Sequence, residues 1–317
     1  MLKISKQYVK LYEAVDNNSN KNWKSVDEYL QAQMDIYEEI LLEKCDDLEK
    51  KIKLHLYFID NPYTLGLYIS LKNENWKLLN DALYQSAKQR LLDITEDGYD
   101  HSGEFWEVMD AMACNDVEAL EACFPRDIGL CNNGYPTFVV ASNMLIKLWY
   151  RTFEKDDEVV KKARKMLTQK KSLWEKAIVG FLLAIYDKDM EDASRQLNEV
   201  CKSSRRIDKP NLHKYFCSEA HGLYNIARII LEKDIFEKLK FPEDDAFIDE
   251  FAMWQMDNNY PKGELFIVYP KELDFMNRIL ECDIPKCRLH NPYKNKNVMY
   301  RDCETMRTLI VRELELK

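Results

Sequence analysis

Glycine and proline are scarce, at 8 and 9 residues in a chain of 317. So few turn punctuators favour long helices with short connections, and argue against an all-β chain or a glycine-rich nucleotide-binding fold. No GxGxxG, Walker-type phosphate loop, HExxH or GxSxG occurs, so the common phosphate-cradling, zinc-hydrolase and serine-nucleophile signatures are absent and no cofactor or catalytic set is expected. No CxxC pair occurs among Cys45, Cys114, Cys123, Cys131, Cys201, Cys217, Cys282, Cys287 and Cys303, and their number is odd. Several fall within apolar helical patterns, where a free thiol behaves as a small hydrophobe; a reducing, cytoplasmic setting is expected. Met1–Val15 interleaves lysines with apolar residues and lacks the continuous core of a signal peptide. The longest apolar runs, Phe138–Tyr150 and Ala177–Tyr186, are too short or too interrupted to span a bilayer, so no membrane partner is expected. Cations are also in deficit, with 46 Lys and Arg against 55 Asp and Glu and a net charge of −9. Such a surface repels phosphate, which speaks against nucleic acid as a partner, and attracts basic proteins.

What is present is a series of helical hairpins. Apolar stretches flank the polar turns Lys72–Asn75, Cys114–Asp116, Asp187–Asp189 and Glu232–Asp234. Each turn carries Asn or Asp, which cap a following helix by accepting its free N–H groups. Phe105, Met109 and Met112, then Ile178, Leu182 and Ile185, then Leu223, Ala227 and Ile230 recur at helical spacing. Such hairpins must stack to bury their apolar faces. Their uneven separation excludes a tetratricopeptide array with its fixed period. The expected fold is all-α, of irregularly packed, repeat-like helical hairpins in two lobes, with a minor short strand pair near Leu265–Tyr269. The lobes are expected at 1–125 and 126–281, followed by a basic loop and terminal helix at 282–317.

Charge is unevenly spread. Residues 92–124 hold no Lys or Arg but include Asp93, Glu96, Asp97, Asp100, Glu104, Glu107 and Asp110, with Phe105 and Trp106 among them. Asp116, Glu118 and Glu121 extend the run. At helical spacing Asp100, Glu104 and Glu107 share a face opposite Phe105, Met109 and Met112, which would point the acids outward. A second cation-free stretch, 241–261, carries Asp244, Asp245, Asp249 and Glu250 beside Trp254 and Tyr260, and the tail is basic. Solvated helix faces and helix N-termini also favour acids. Dense like charge beside aromatics, however, fits a surface that a basic protein would cover. Both acidic groups are therefore candidate partner-binding residues.

Two further constellations invite chemistry. Cys217 and His221 stand at i, i+4 in the stretch Leu212–Leu231, which reads as one helix, and lack the third group that a Cys–His nucleophile needs. Cys282, Cys287, His290 and Cys303 could supply four zinc ligands, but at looser spacing than a structural knuckle; no metal is expected there. None of the five histidines completes a Glu-x-x-His motif for a carboxylate di-metal site.

The segment Leu173–Asp189 with its following helix to Val200, and Glu219–Arg228 followed by acids and apolar residues at Phe241–Ile248, resemble the immunity-49 family of bacterial polymorphic toxin systems. In that family an A-x-G-L-x-x-x-A helix follows an apolar G-x-x-x-A helix in the same order. The resemblance covers roughly residues 100–280. It implies an all-helical immunity protein that binds and blocks a cognate toxin, with no catalytic residue to carry over. The acidic balance suits a basic, nuclease-type toxin. A helical scaffold or adaptor without a toxin partner is the alternative, and a helical enzyme using Cys217 and His221 the third.

Overall fold

The computed structural model describes residues 1–14, 22–41, 47, 49–50, 52, 58–94, 98–151, 158–207, 211–294 and 298–316. Helix α1 (Lys3–Ala14) and α2 (Val26–Ile36) precede the first hairpin, α3 (Tyr63–Asn73) and α4 (Trp76–Leu92). Helices α5 (Phe105–Ala113) and α6 (Val117–Cys123) form the second. Helices α7 (Pro136–Tyr150) and α8 (Glu158–Leu167) lead to α9 (Leu173–Asp187) and α10 (Met190–Ser204), the third hairpin. Then come α11 (Ser218–Ile230), the short α12 (Lys233–Phe236), α13 (Asp249–Asp257) and α14 (Asp274–Glu281). Two-residue strands β1 (Leu289–His290) and β2 (Tyr300–Arg301) pair antiparallel before α15 (Cys303–Leu316). The all-α expectation holds.

The three hairpin turns share one device. Glu74, Asn115 and Lys188 take left-handed backbone conformations, with φ of 48°, 60° and 57°. The N–H after each returns to a carbonyl five residues back: Asn75 to Ser70, Asp116 to Ala111 and Asp189 to Ala184, all at 2.9 Å. These bonds close the ending helix as a Schellman turn. The same Asn75, Asp116 and Asp189 then cap the next helix, accepting the N–H of Leu78, Ala119 and Asp192. One residue thus ends one helix and starts another. The fourth expected turn, at Glu232–Asp234, has no left-handed residue and Glu232 makes no side-chain cap.

The apolar residues gather into two cores, and α4 serves both. Ala87 and Leu91 belong to a core built with α5 to α11, in which α9 is buried along nearly its whole length. Gly222 of α11 lies against α5 so closely that a Cβ would overlap the Met109 carbonyl oxygen. Only glycine permits that approach of two backbones. On its other face α4 turns Leu79, Leu83 and Leu92 into a second core with α1, α3, Phe251, α14 and α15. These cores do not divide the chain at 125 and 281 as expected. The α5 helix belongs with the central helices, and the apolar residues of 267–282 and 303–314 return to the amino-terminal ones. The reason is the stripe Cys303, Met306, Ile310 and Leu314, buried in the second core, which packs the expected terminal helix against the amino-terminal ones.

Residues 265–269 form no strand and bend at Phe266. Ile267 and Tyr269 are buried, and the backbone N–H groups of Glu264, Ile267 and Tyr269 donate to Asp81, Gln85 and Asn277 side chains at 3.0, 2.7 and 2.8 Å. Helical side chains replace the neighbouring strand as acceptors. Among the described residues no helix is long and apolar enough to cross a membrane.

Candidate functional site

Most of the first acidic segment turns inward. Helix α5 begins only at Phe105; His101–Glu104 is a 3-10 turn capped by Asp100, so helical spacing does not relate Asp100 and Glu104 to Glu107. Asp100 is 1% exposed and accepts backbone N–H groups from Ser102, Asn132 and Asn133 at 3.0, 2.6 and 2.9 Å. Glu104 is buried and paired with Arg301 of β2, the basic tail having folded back over it. Asp110 is buried and paired with Arg90 of α4. Phe105 is wholly enclosed, stacked with Phe138 at 6.2 Å, and presents no surface to anchor a partner. Lys262 reaches Asp116 at 3.2 Å and Glu118. Asp93 is half-buried, and Glu96 and Asp97 lie outside the described residues. The outward face expected of Asp100 and Glu104 is therefore corrected, and the partner-contact candidates Asp110 and Phe105 are buried as well: the fold supplies its own cations and N–H donors to the three acids, and Phe138 covers Phe105.

Trp106, Glu107 and Asp110 instead help line a recess of about 310 Å³ with Tyr63, Arg90, His213 and Glu219. Trp106 is fixed by stacking on Trp174 at 4.5 Å, and Tyr63 meets the His213 ring edge-on at 4.9 Å. Burial raises the Glu107 carboxyl, Arg90 opposes that rise, and Asp110 adds to it. Glu219 accepts the Cys217 thiol at 3.2 Å. Three carboxylates thus converge beside one guanidinium and an aromatic wall, an arrangement with a negative balance that suits a cation. Arg90, His213 and Glu219 come from distant helices, and no spacing in the sequence links them to Trp106.

The second acidic segment stays open. Glu243, Asp244, Asp245, Asp249 and Glu250 all line one groove of about 340 Å³, whose other wall is Leu2 with Lys3 and Ile4 at the start of α1. Asp244 is half-buried and held by Arg205 at 2.7 Å. Asp245 is exposed, with Lys3 at 3.7 Å. Asp249 and Glu250 occupy the first turn of α13, where carboxylates meet the unpaired N–H groups of a helix start. Even so, the Asp249 carboxyl is raised, first by desolvation and then by Glu250. Five carboxylates against Lys3 and the neighbouring Arg205 leave the groove strongly negative.

Cys217 is not in a helix interior: the stretch expected as one helix breaks at Phe216 and Cys217, and α11 begins at Ser218. His221 is sandwiched between the rings of Phe216 and Phe247, at 4.9 and 4.0 Å, and its Nε2 accepts the Ile248 N–H at 3.2 Å. Burial pushes its pKa down to about 3, which makes it a neutral ring that fastens α11 to the start of α13. Among the described residues Cys282, Cys287, His290 and Cys303 do not form a ligand cluster. The described cysteines are all buried free thiols, and Cys45 lies outside the described residues. Compared with family models, curated proteins and solved structures, the chain matches none.

Proposed function

We propose that this protein binds a cationic polypeptide through the 242–250 groove, and that the partner is a toxin which it neutralises by one-to-one association, as the immunity-family resemblance implies. The observation that carries the reading is the groove itself: five carboxylates line one concave surface, and desolvation already disfavours the charge on one of them. A lysine or arginine entering the groove would relieve that repulsion and be steered to it from solution. The test is survival of cells expressing the toxin encoded at the same locus. Wild-type protein is expected to protect them, and Asp245→Lys with Glu250→Lys to lose protection and weaken binding by at least about tenfold, with unchanged folding. Protection unaffected by both reversals would remove the groove from the mechanism.

The Arg90 recess favours a second reading, a pocket for a small organic cation held by Glu107 and Glu219 against Trp106. Titration calorimetry with a series of alkyl amines and diamines tests it. Saturable heat that disappears in Glu107→Gln supports the pocket, and the absence of heat dismisses it.

A further inference from the structure

Asp100, His101 and Cys131 each offer a ligand atom, and these atoms lie within 4.8 Å of one another. All three residues are buried, at 1%, 0% and 4% exposure. They sit where the 3-10 turn before α5 meets the loop that leads into α7. Hydrogen bonds explain most of the arrangement. Asp100 accepts three backbone N–H groups, from Ser102, Asn132 and Asn133. The Cys131 backbone exchanges two bonds with the Asn143 side chain, at 2.7 and 3.0 Å. His101 Nε2 lies 3.1 Å from the Gly129 carbonyl oxygen. A carbonyl only accepts, so Nε2 carries the proton and Nδ1 is left as a bare lone pair. That Nδ1 has no hydrogen-bond partner, and neither has the buried Ser142 hydroxyl. Leaving a buried acceptor unpaired is unfavourable.

We infer that Asp100, His101 and Cys131 form a binding site for a divalent transition metal ion, zinc by the character of its donors. Imidazole nitrogen, thiolate sulfur and carboxylate oxygen are together the zinc ligand set, and the mixture is too soft for magnesium or calcium. The orphan Nδ1 is the lone pair an ion would take up, while the Nε2–Gly129 bond fixes the tautomer and ring orientation that ligation requires. As the sulfur–metal bond forms, the Cys131 thiol proton leaves to solvent. Three protein ligands leave one position of a tetrahedral site for a water. Because the site is enclosed, the role is structural: the ion ties the 125–135 loop to the turn before α5.

The test is reconstitution of the purified, metal-free chain with Co(II). One equivalent is expected to give a thiolate-to-cobalt charge-transfer band and the intense d–d bands of a four-coordinate ion. Cys131→Ser is expected to abolish the charge-transfer band, while Cys201→Ser, a buried thiol elsewhere in the same core, retains it at equal helix content. Should Cys131→Ser fail to fold, cadmium NMR of the wild-type chain decides, with a single resonance in the one-sulfur range supporting the site. No bound cobalt, as expected if only a water fills the space, or a band that survives Cys131→Ser, overturns the inference.

Discussion

Residues 92–124 and 241–261 carry the same signature, carboxylates and aromatics without a lysine or arginine, yet the fold handles them differently. In the first, Arg90, Lys262 and Arg301 come back from other elements and pair with Asp110, Asp116, Glu118 and Glu104. In the second, Lys3 and Arg205 meet five carboxylates that remain along a groove. Lys262 stands 144 residues beyond Glu118, so the compensation is tertiary and leaves no mark on the local sequence. A run of one charge therefore says where repulsion must be relieved, not whether another protein relieves it. Only the placement of distant cations separates a self-neutralised segment from one left open.

The largest expected difference between the two segments is in stability. Glu104 and Arg301 are mostly buried, with side-chain exposures of 12% and 18%. Removing one partner leaves the other charge enclosed and uncompensated. Glu104→Ala should lower unfolding free energy by about 3 kcal/mol in urea titration. Asp245→Ala, in the open segment, should change it by less than about 0.5 kcal/mol. Equal losses at both positions would break the contrast.

Lys262→Met is the next test, at about 1–2 kcal/mol. It strips the cation from Asp116, which is 5% exposed at its side chain, while the cap on Ala119 remains. The smaller loss expected here reflects that surviving bond, and thermal unfolding compares it with Glu104→Ala directly.

How much of this was legible follows from the range of each interaction. The turns at Lys72–Asn75, Cys114–Asp116 and Asp187–Asp189 could be read because an Asn or Asp between apolar stretches acts within a few residues. The two cores could not, because Asn80, Asp81, Gln85, Lys88 and Gln89 interrupt the apolar pattern of α4 although they are buried, and its sharing appears only once the partners are placed. The inward turn of Asp100 and Glu104 was hidden by a 3-10 turn, which breaks the helical spacing that assigned them an outer face. The acids at 244–250 were readable from composition, whereas the Leu2–Ile4 wall opposite them is a long-range contact with no local signal. The buried His101 ring, read earlier as one of five unpatterned histidines, gains its interest only from the neighbours that folding brings to it.

Titration sharpens the comparison further. The Asp249 carboxyl in the open groove lies above its ordinary 3.8, from desolvation and then Glu250. The Glu118 carboxyl lies below its ordinary 4.5, chiefly through the Lys262 hydrogen bond. A raised folded pKa favours the folded state below the unfolded value, and that favour fades as pH rises through the folded pKa. Asp249 therefore works against stability at neutral pH, and Asp249→Asn should stabilise slightly there. Glu118 does the reverse: its contribution is present above pH 4.5 and fades as pH falls through the lowered value. Carboxyl-carbon NMR should show the two midpoints displaced in opposite directions. Displacement in the same direction would mean the segments share one environment.

The smallest expected effect on stability is also the most direct probe of the open groove. Lys3 and Asp245 approach to 3.7 Å with 77% and 51% of their side chains exposed. An exposed pair at that distance is worth at most about 0.5 kcal/mol, so Lys3→Ala should leave the unfolding curve almost unmoved. Its effect belongs in recognition. Losing the lysine makes the groove more negative by one charge, so a cationic peptide should associate faster at low salt, with the gain vanishing as ionic strength rises. Were Lys3→Ala to cost as much stability as Glu104→Ala, the Lys3–Asp245 contact would be an internal closure like the first segment's. The 242–250 carboxylates would then be neutralised by the chain itself, and the groove would hold no charge for a partner to meet.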